Sequence, residues 1–371
     1  MEKNKKTIVK NITLPLNNRL IFMSDIHGDI KLFRRVLLEI GFCDDDYLFV
    51  IGDMIEKGDY LDNLQMLNYI IELNKKENVY FMAGNCDEVL RFILPPVDKS
   101  TFLDYALVRK KSIINDLANE FNFPVFENMD VDLFVKKIVD NHPEYYQFID
   151  ELPDVIIIND SLVLVHGGIM DINDIPENAI DVLKFDRFLE ISEPQPKLMV
   201  VGHYPTRNYH SDVTNVNPIF DIRKNIICID GGNNVVKGGQ INAVMIDDLE
   251  HMNFSYKALD HYPKYTIKDD IIYSKPKNSF NMKFGKNEVE LLTKDLDFYL
   301  VRPVNSENNL WVNQEFIYYN DGKYYCYDGS NNFLSLNKGD LISIIKTGNP
   351  YCLVKHDGII GLIESKYIYE D

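Results

Sequence analysis

Short apolar runs recur through the first 260 residues, and each ends in Gly, Asp, Asn or His: Leu20–Ser24, Tyr47–Gly52, Val79–Gly84, Leu162–Gly167, Leu198–Gly202 and Ile226–Gly231. Runs of this length read as strands buried on both faces, with polar groups at their C-terminal ends. Between the first three lie stretches with helical spacing of apolar positions, Ile30–Ile40 and Tyr60–Asn74. They predict crossover helices, βαβ units and a partly parallel sheet. Polar residues at strand ends are where α/β folds place their sites. Residues 95–151 break the rhythm with helical patterns at Phe102–Phe121, Asp130–Asn141 and Glu144–Leu152. They predict a helical insertion covering the strand ends.

Beyond residue 260 the pattern changes to short strands and turns, with an internal repeat. Residues 288–319 resemble 341–369, and Tyr299-Leu300-Val301-Arg302 matches Cys352-Leu353-Val354-Lys355. Two copies are too few for a solenoid. They suit two small β-barrels, and the pattern K-G-D-x-I, G-x-x-G-L-I, Y-I at Lys338–Ile368 resembles bacterial SH3-like domains. The expected organisation is a first domain over 1–258 and two small all-β domains over 262–317 and 318–371. Tyrosine usage supports a boundary near Tyr256–Tyr265, since 12 of 22 tyrosines lie in the last 111 residues. On small barrels such aromatics line grooves for extended peptides or simply fill half-buried sheet faces. The second use accounts for most of them.

A length of 371 residues agrees with two or three domains at ~150 residues each. The formal net charge of -18 argues against duplex nucleic acid as a partner, because a duplex needs a basic face. It leaves phosphate substrates open, since metal ions held by carboxylates supply local positive charge. Five cysteines, Cys43, Cys86, Cys228, Cys326 and Cys352, are an odd number without C-x-x-C spacing, so neither a disulfide framework nor a cysteine zinc site is expected. No signal-type apolar segment follows the Lys-rich start, and no run approaches ~18 apolar residues. The expectation is a cytoplasmic protein without a membrane partner.

Each strand end delivers a metal-ligand type: Asp25 and His27, Asp53, Asn85, His166 and His203. Singly, each is an ordinary turn residue or structural histidine. As an ordered series beside glycines they point to a metal site. A phosphate ester is hydrolysed in line by a water activated between two divalent cations about 3.5–4 Å apart, which also clamp the phosphoryl oxygens. Carboxylate, amide oxygen and imidazole together suit manganese, iron, zinc or magnesium better than copper. Asp53 is the natural bridging carboxylate.

The order S-D-x-H-G, G-D-x-x-E-K-G, G-N-x-D, H-G-G, G-H over residues 18–248 resembles the calcineurin-like metallophosphoesterases, and among them the PPP-type phosphoprotein phosphatases and their diadenosine tetraphosphate hydrolase relatives. The resemblance implies an α/β fold, a four-layer α/β/β/α sandwich, with one metal on Asp25, His27 and Asp53. The other metal would be held by Asp53, Asn85, His166 and His203. Three departures stand out. Cys86 replaces the histidine that protonates the leaving group, and with Asp87 it resembles the G-N-C-D of small phosphodiesterases of the same superfamily. Glu56-Lys57 replaces an Asp-Arg pair, turning a bidentate phosphate fork into a point charge. Gly-His-Tyr-Pro, in place of Gly-His-x-His, returns the chain to the PPP-type branch.

Arg187 stands where the PPP-type pattern supplies a phosphate-binding arginine, and Arg207 is a weaker candidate. His142, His210, His251, His261 and His356 match no motif position. The candidate catalytic residues are Asp53, Asn85, Cys86, Lys57, Arg187, Glu56 and Asp87; Glu56 would orient an imidazole at position 86, and Asp87 is an alternative proton source. The expected activity is a metal-dependent phosphoesterase of PPP type acting on a phosphorylated protein, with two divalent ions, manganese first. A nucleotide-directed hydrolase acting on dinucleoside polyphosphates or phosphodiesters is the first alternative. A protein-binding scaffold on a degenerate phosphatase fold is the second. The SH3-like domains imply a peptide or protein partner.

Overall fold

The apolar runs become strands and the periodic stretches helices. The computed structural model describes residues 5–59, 61–92, 98–274, 280–283, 285–327 and 329–369. The expected helix start at Tyr60 and the first residues of the expected insertion, 95–97, lie outside these. In chain order the elements begin β1 (Val9–Ile12), β2 (Leu20–Met23), α1 (Ile30–Glu39), β3 (Tyr47–Ile51), α2 (Asp62–Leu73) and β4 (Val79–Met82). Five helices follow, α3 (Val89–Phe92), α4 (Lys99–Val108), α5 (Ile113–Glu120), α6 (Val131–Asn141) and α7 (Pro143–Glu151). Next come β5 (Val155–Ile158), β6 (Leu162–Val165), α8 (Ile180–Leu183), α9 (Phe188–Ile191), β7 (Leu198–Val201), β8 (Thr214–Asn215), β9 (Ile219–Asp221), β10 (Ile226–Cys228), β11 (Ile241–Ile246) and β12 (Phe254–Leu259).

Contacts divide the chain into two units, the first comprising Met1–Tyr204, Pro218–Asp230 and Ile241–Leu259. It contains two sheets, ordered β12-β11-β2-β3-β4 and β1-β5-β6-β7-β10-β9. β2, β3 and β4 pair in parallel, as the crossover helices require. Leu20, Phe22, Phe49, Ile51 and Met82 of one sheet share a core with Ile156, Ile158, Leu162, Leu164, Val200 and Ile227 of the other, so the sheets pack face to face. Each such buried side chain contributes about 1.5–3 kcal/mol. Ile21, Met23, Leu48 and Val50, on the opposite faces, are buried too, and α1 packs against β11 and β12. Cover on both faces is why these strands read as unbroken apolar runs.

The insertion packs through α5 and α7 onto α2. The single pattern expected over Phe102–Phe121 is two helices, α4 and α5. Ser112 leaves the helical region at φ -118° and ψ 150°, and its hydroxyl accepts the Ile114 amide at 3.2 Å, an N-cap that starts α5 afresh.

The second unit comprises Pro205–Asn217, Gly231–Gln240 and Asp260–Asp371. It is all-β, with β13 (Lys264–Thr266), β14 (Glu288–Asp295), β15 (Phe298–Pro303), β16 (Leu310–Asn313), β17 (Ile317–Asn320), β18 (Lys323–Cys326), β19 (Leu341–Lys346), β20 (Tyr351–His356) and β21 (Ile359–Glu364). One sheet runs β16-β15-β14-β18-β17 and the other β13-β19-β20-β21-β8. The repeat seen in the sequence is thus a repeated meander, β14-β15-β16 and β19-β20-β21, each with a register shift in the pairing of its first two strands. Two segments from within 205–240 join this unit. Thr214–Asn215 pair with β21, and the buried Lys355 donates to the Gly238 carbonyl at 2.8 Å. Among the described residues no helix is long and apolar enough to cross a membrane.

Candidate metal centre

The loop after β2 is tied to that after β3, and the loop after β7 to that after β6, through their backbones. The Asp25, His27 and Gly28 amides donate to the carbonyls of Gly52, Asp53 and Met54 at 3.1, 3.0 and 2.9 Å, and the Gly202 amide donates to the His166 carbonyl at 2.9 Å. Asp25, His27, Asp53 and His203 all adopt left-handed backbone, with φ of 54°, 51°, 51° and 66°. Such conformations cost on the order of 1–3 kcal/mol each in non-glycine residues and gather at functional sites. Close approach explains two motif glycines. A Cβ on Gly84 would lie 2.1 Å from the Asp53 amide nitrogen, and one on Gly202 would lie 2.5 Å from Asp25 Oδ2.

This backbone brings Asp25, His27, Asp53 and His166 together in a buried cluster. The ligand atoms of Asp25, Asp53 and His166 all lie within 4.8 Å of one another, and so do those of His27, Asp53 and Cys86. Asp53 belongs to both groups. Its Oδ2 is 3.7 Å from His27 Nε2 and its Oδ1 is 3.3 Å from His166 Nε2, a carboxylate with one oxygen toward each side. His27 Nε2 is also 3.8 Å from Asp25 Oδ1.

These residues fit a pair of divalent ions. His166 Nδ1 lies 2.8 Å from the Ile51 carbonyl, the contact that holds a ligating imidazole with Nε2 as its lone pair. That Nε2 faces Asp53 Oδ1, and Asn85 Oδ1 is buried without a hydrogen-bond partner. An orphaned buried acceptor costs about 1–3 kcal/mol, and a cation supplies the missing partner. The electrostatics agree. Burial opposes charge on His166, yet Asp53 and Asp25 outweigh it and bring its pKa up to about 10. Burial likewise opposes the Asp53 charge, but His166, His27 and Lys57 hold that carboxyl well below its usual range. Burial pushes Asp25 up to about 6, and burial together with Lys57 takes His27 down to about 3. The Lys57 ammonium, 3.1 Å from His27 Nε2, shows that the cluster already attracts positive charge.

The other expected site residues are placed as follows. His203 donates its amide to Asp25 Oδ2 at 3.0 Å, and its ring meets His166 edge-on at 5.4 Å between centroids. Its Nε2 lies 2.9 Å from Asp186 Oδ1, so Nδ1 is the nitrogen with which it would bind a metal. Burial takes its pKa down to about 4. Asp87 is fully buried and accepts the amides of Met54, Ile55 and Gly84 at 2.9, 3.2 and 2.9 Å, bracing the loops that carry Asp53 and Asn85. Glu56 accepts from the Tyr105 hydroxyl at 2.7 Å, the Ser112 hydroxyl at 3.0 Å and the Ile113 amide at 2.8 Å, which ties the insertion to the loop after β3. Arg187 is exposed and donates to Glu190 at 2.6 Å. Arg207 is buried in the second unit, donating to Asn281 Oδ1 and the Met282 carbonyl, both at 3.3 Å.

Asp186 and the Glu56 partners Tyr105 and Ser112 escaped the sequence reading. Asp186 stands in Phe-Asp-Arg-Phe beside Arg187, while nothing local marks Tyr105 or Ser112.

No curated protein matches the sequence. Among solved structures, a proposed diadenosine tetraphosphatase is similar at 16% identity and a TM-score of 0.43, over 68% of this chain and 98% of that one. A protein serine/threonine phosphatase from Saccharomyces cerevisiae is similar at 9% identity and a TM-score of 0.43, over 69% and 84%. The cold-active protein-tyrosine phosphatase of a psychrophilic Shewanella species is similar at 14% identity and a TM-score of 0.42, over 70% and 85%. Residues 18–225 match the family model of the calcineurin-like phosphoesterases, more than half of the chain. The chain therefore belongs to the calcineurin-like phosphoesterase family and is a hydrolytic phosphoesterase.

Proposed function

We propose that the protein is a PPP-type phosphatase that removes phosphate from phosphorylated proteins, using two divalent ions. Asp25, His27 and Asp53 would hold one ion, and Asp53, Asn85, His166 and His203 the other; manganese, iron, zinc and magnesium all suit this donor set. The observation that carries the reading is Asp53, set in left-handed backbone with one oxygen toward His27 and the other toward His166. Bound there, the ions would supply a polarised water and charge neutralisation for the phosphoryl group. Lys57, a half-buried cation beside His27, would hold a phosphoryl oxygen as a point charge. Arg187 would have to leave Glu190 to assist it. Glu56 positions the loop that carries Lys57 by fixing it to the insertion. A protein substrate is supported by the repeated β-meander, whose sequence resembles SH3-like peptide-binding domains.

A second reading, a nucleotide-directed hydrolase, is favoured by Cys86. Burial and Asp53 raise its thiol well above the usual range, so it is a poor proton donor near neutrality. A nucleotide or phosphate leaving group needs that proton less than a serine alkoxide does. Metal content together with kcat/KM on a phosphopeptide, diadenosine tetraphosphate and bis-p-nitrophenyl phosphate separates the readings. The phosphopeptide is expected to be preferred. A preference for either nucleotide-type substrate installs the second reading, and absence of both metal and hydrolysis removes both.

A further inference from the structure

We infer that Cys86 is itself a ligand of the metal beside His27 and Asp53, so that this half of the centre selects a thiophilic ion, zinc or ferrous iron, over manganese or magnesium. The inference rests on the metal-dependent phosphoesterase reading and deepens it. The sequence makes Cys86 the replacement for a missing proton donor; the structure makes it part of the cluster. Its Sγ, His27 Nε2 or Nδ1 and an Asp53 oxygen lie within 4.8 Å of one another, a span that one ion can bridge. Its backbone is fixed there, because the Cys86 amide donates to Asp53 Oδ1 at 2.7 Å.

Asn85 is the neighbouring residue. Its Nδ2 approaches Cys86 Sγ at 3.5 Å with the sulfur as acceptor, while its Oδ1 is buried without a partner and remains for the second ion. The sulfur thus accepts one hydrogen bond. On coordination the S–H bond breaks, the proton leaves to solvent and the sulfur lone pair forms the metal–sulfur bond; nothing is oxidised or reduced. Thiolate shifts the preference of an otherwise oxygen- and nitrogen-based site toward softer ions. A ligand sulfur also explains why no proton donor stands at this position.

The test titrates the full-length protein, stripped of metal, with cobalt(II). A thiolate ligand gives a near-ultraviolet sulfur-to-cobalt charge-transfer band. The wild type and Cys43→Ser, which removes an exposed thiol, should both show it. Cys86→Ser should bind cobalt without it, and its preference for zinc over manganese should fall by roughly tenfold or more. X-ray absorption of the zinc-loaded wild type should show a sulfur shell at about 2.3 Å and requires no variant to fold. Cobalt binding without the band, or a zinc shell of oxygen and nitrogen alone, overturns the inference and leaves the phosphoesterase reading standing. Failure to bind any of these ions overturns the proposed centre and the inference with it.

Discussion

The Cys86 amide donates to Asp53 Oδ1 at 2.7 Å, so the carboxylate shared by both halves of the centre is anchored to the strand end next to its own. The brace is reciprocal. Asp87, one residue further on, accepts the amides of Met54 and Ile55 from the loop after β3 and that of Gly84 from the loop after β4. Two buried carboxylates therefore cross-link β3 and β4 where the sheet opens, and left-handed backbone at Asp53 is held by this double tie.

Asp53→Asn separates the bracing role from the charge. The amide oxygen still accepts the Cys86 N–H, so the fold should survive. A neutral bridge cannot balance two dications, and hydrolysis of p-nitrophenyl phosphate should fall by roughly a hundredfold or more, with bound metal dropping below two per chain. Elemental analysis beside the rate assay checks both. Two bound metals with retained activity would remove Asp53 from the bridging position.

Tyr105→Phe tests the link between the insertion and the site. The variant takes one donor from the buried Glu56 carboxyl and should lower stability by about 1–3 kcal/mol while leaving metal content unchanged. Glu56→Ala, which strips the acceptor from Tyr105, Ser112 and Ile113 at once, should cost more and open residues 98–151 to limited proteolysis. Denaturant midpoints and cleavage mapping read the two effects. Equal stability for both variants would show that the insertion is held elsewhere.

The strands at the heart of the first unit were legible because they are covered on both faces; Leu20–Met23 and Leu162–Val165 are buried at every position. β1 and β12 escaped because they are edge strands with exposed side chains, and such strands carry no continuous apolar run. β5 and β11 escaped too, although both are interior strands and largely buried, so burial alone did not make a strand legible. The ligand series was legible because each member directly follows a strand. The contacts that position it were not. Tyr105 reaches Glu56 across 49 residues, and Lys355 reaches the Gly238 carbonyl across 117, separations at which no local pattern survives. The same distance rule hid the segments that the second unit takes from within 205–240.

In the second unit, acid stability should depend on Asp260. Burial alone would raise its pKa, but Lys355 and Lys264, at 2.8 and 2.9 Å, outweigh it and hold the carboxyl down to about 2. The unfolded chain titrates near 3.8, so the contribution is complete above that pH and is lost as the pH falls through 2. Its size is on the order of 1–2 kcal/mol. Trp311, the single tryptophan, lies in this unit and reports its unfolding. The urea midpoint followed by its fluorescence should fall between pH 4 and 2 in the wild type. Asp260→Asn should lower the midpoint at neutral pH, leaving Lys355 buried without its carboxylate, and should flatten the acid limb. An unchanged limb would assign acid lability to other groups.

The leaving group provides the last prediction. On the proposed PPP-type reading, Cys86 stands where a histidine would protonate the departing oxygen, and burial and Asp53 push its thiol up; bound to a metal, it would carry no proton at all. Either way the departing oxygen leaves without a donor from position 86. General acid catalysis is typically worth 10²–10⁴-fold, and it matters most for poor leaving groups. Rates across a series of aryl phosphates should therefore fall steeply as the pKa of the leaving phenol rises, and alkyl phosphates should lie at the low end, at least ~10²-fold below p-nitrophenyl phosphate. Asp87 stays the alternative proton source: its oxygens accept three backbone amides, and burial and Asp53 push its carboxyl up to about 8. A flat dependence on leaving-group pKa would mean that another proton donor reaches the leaving oxygen, and His203 with its Asp186 partner would then be the pair to replace first.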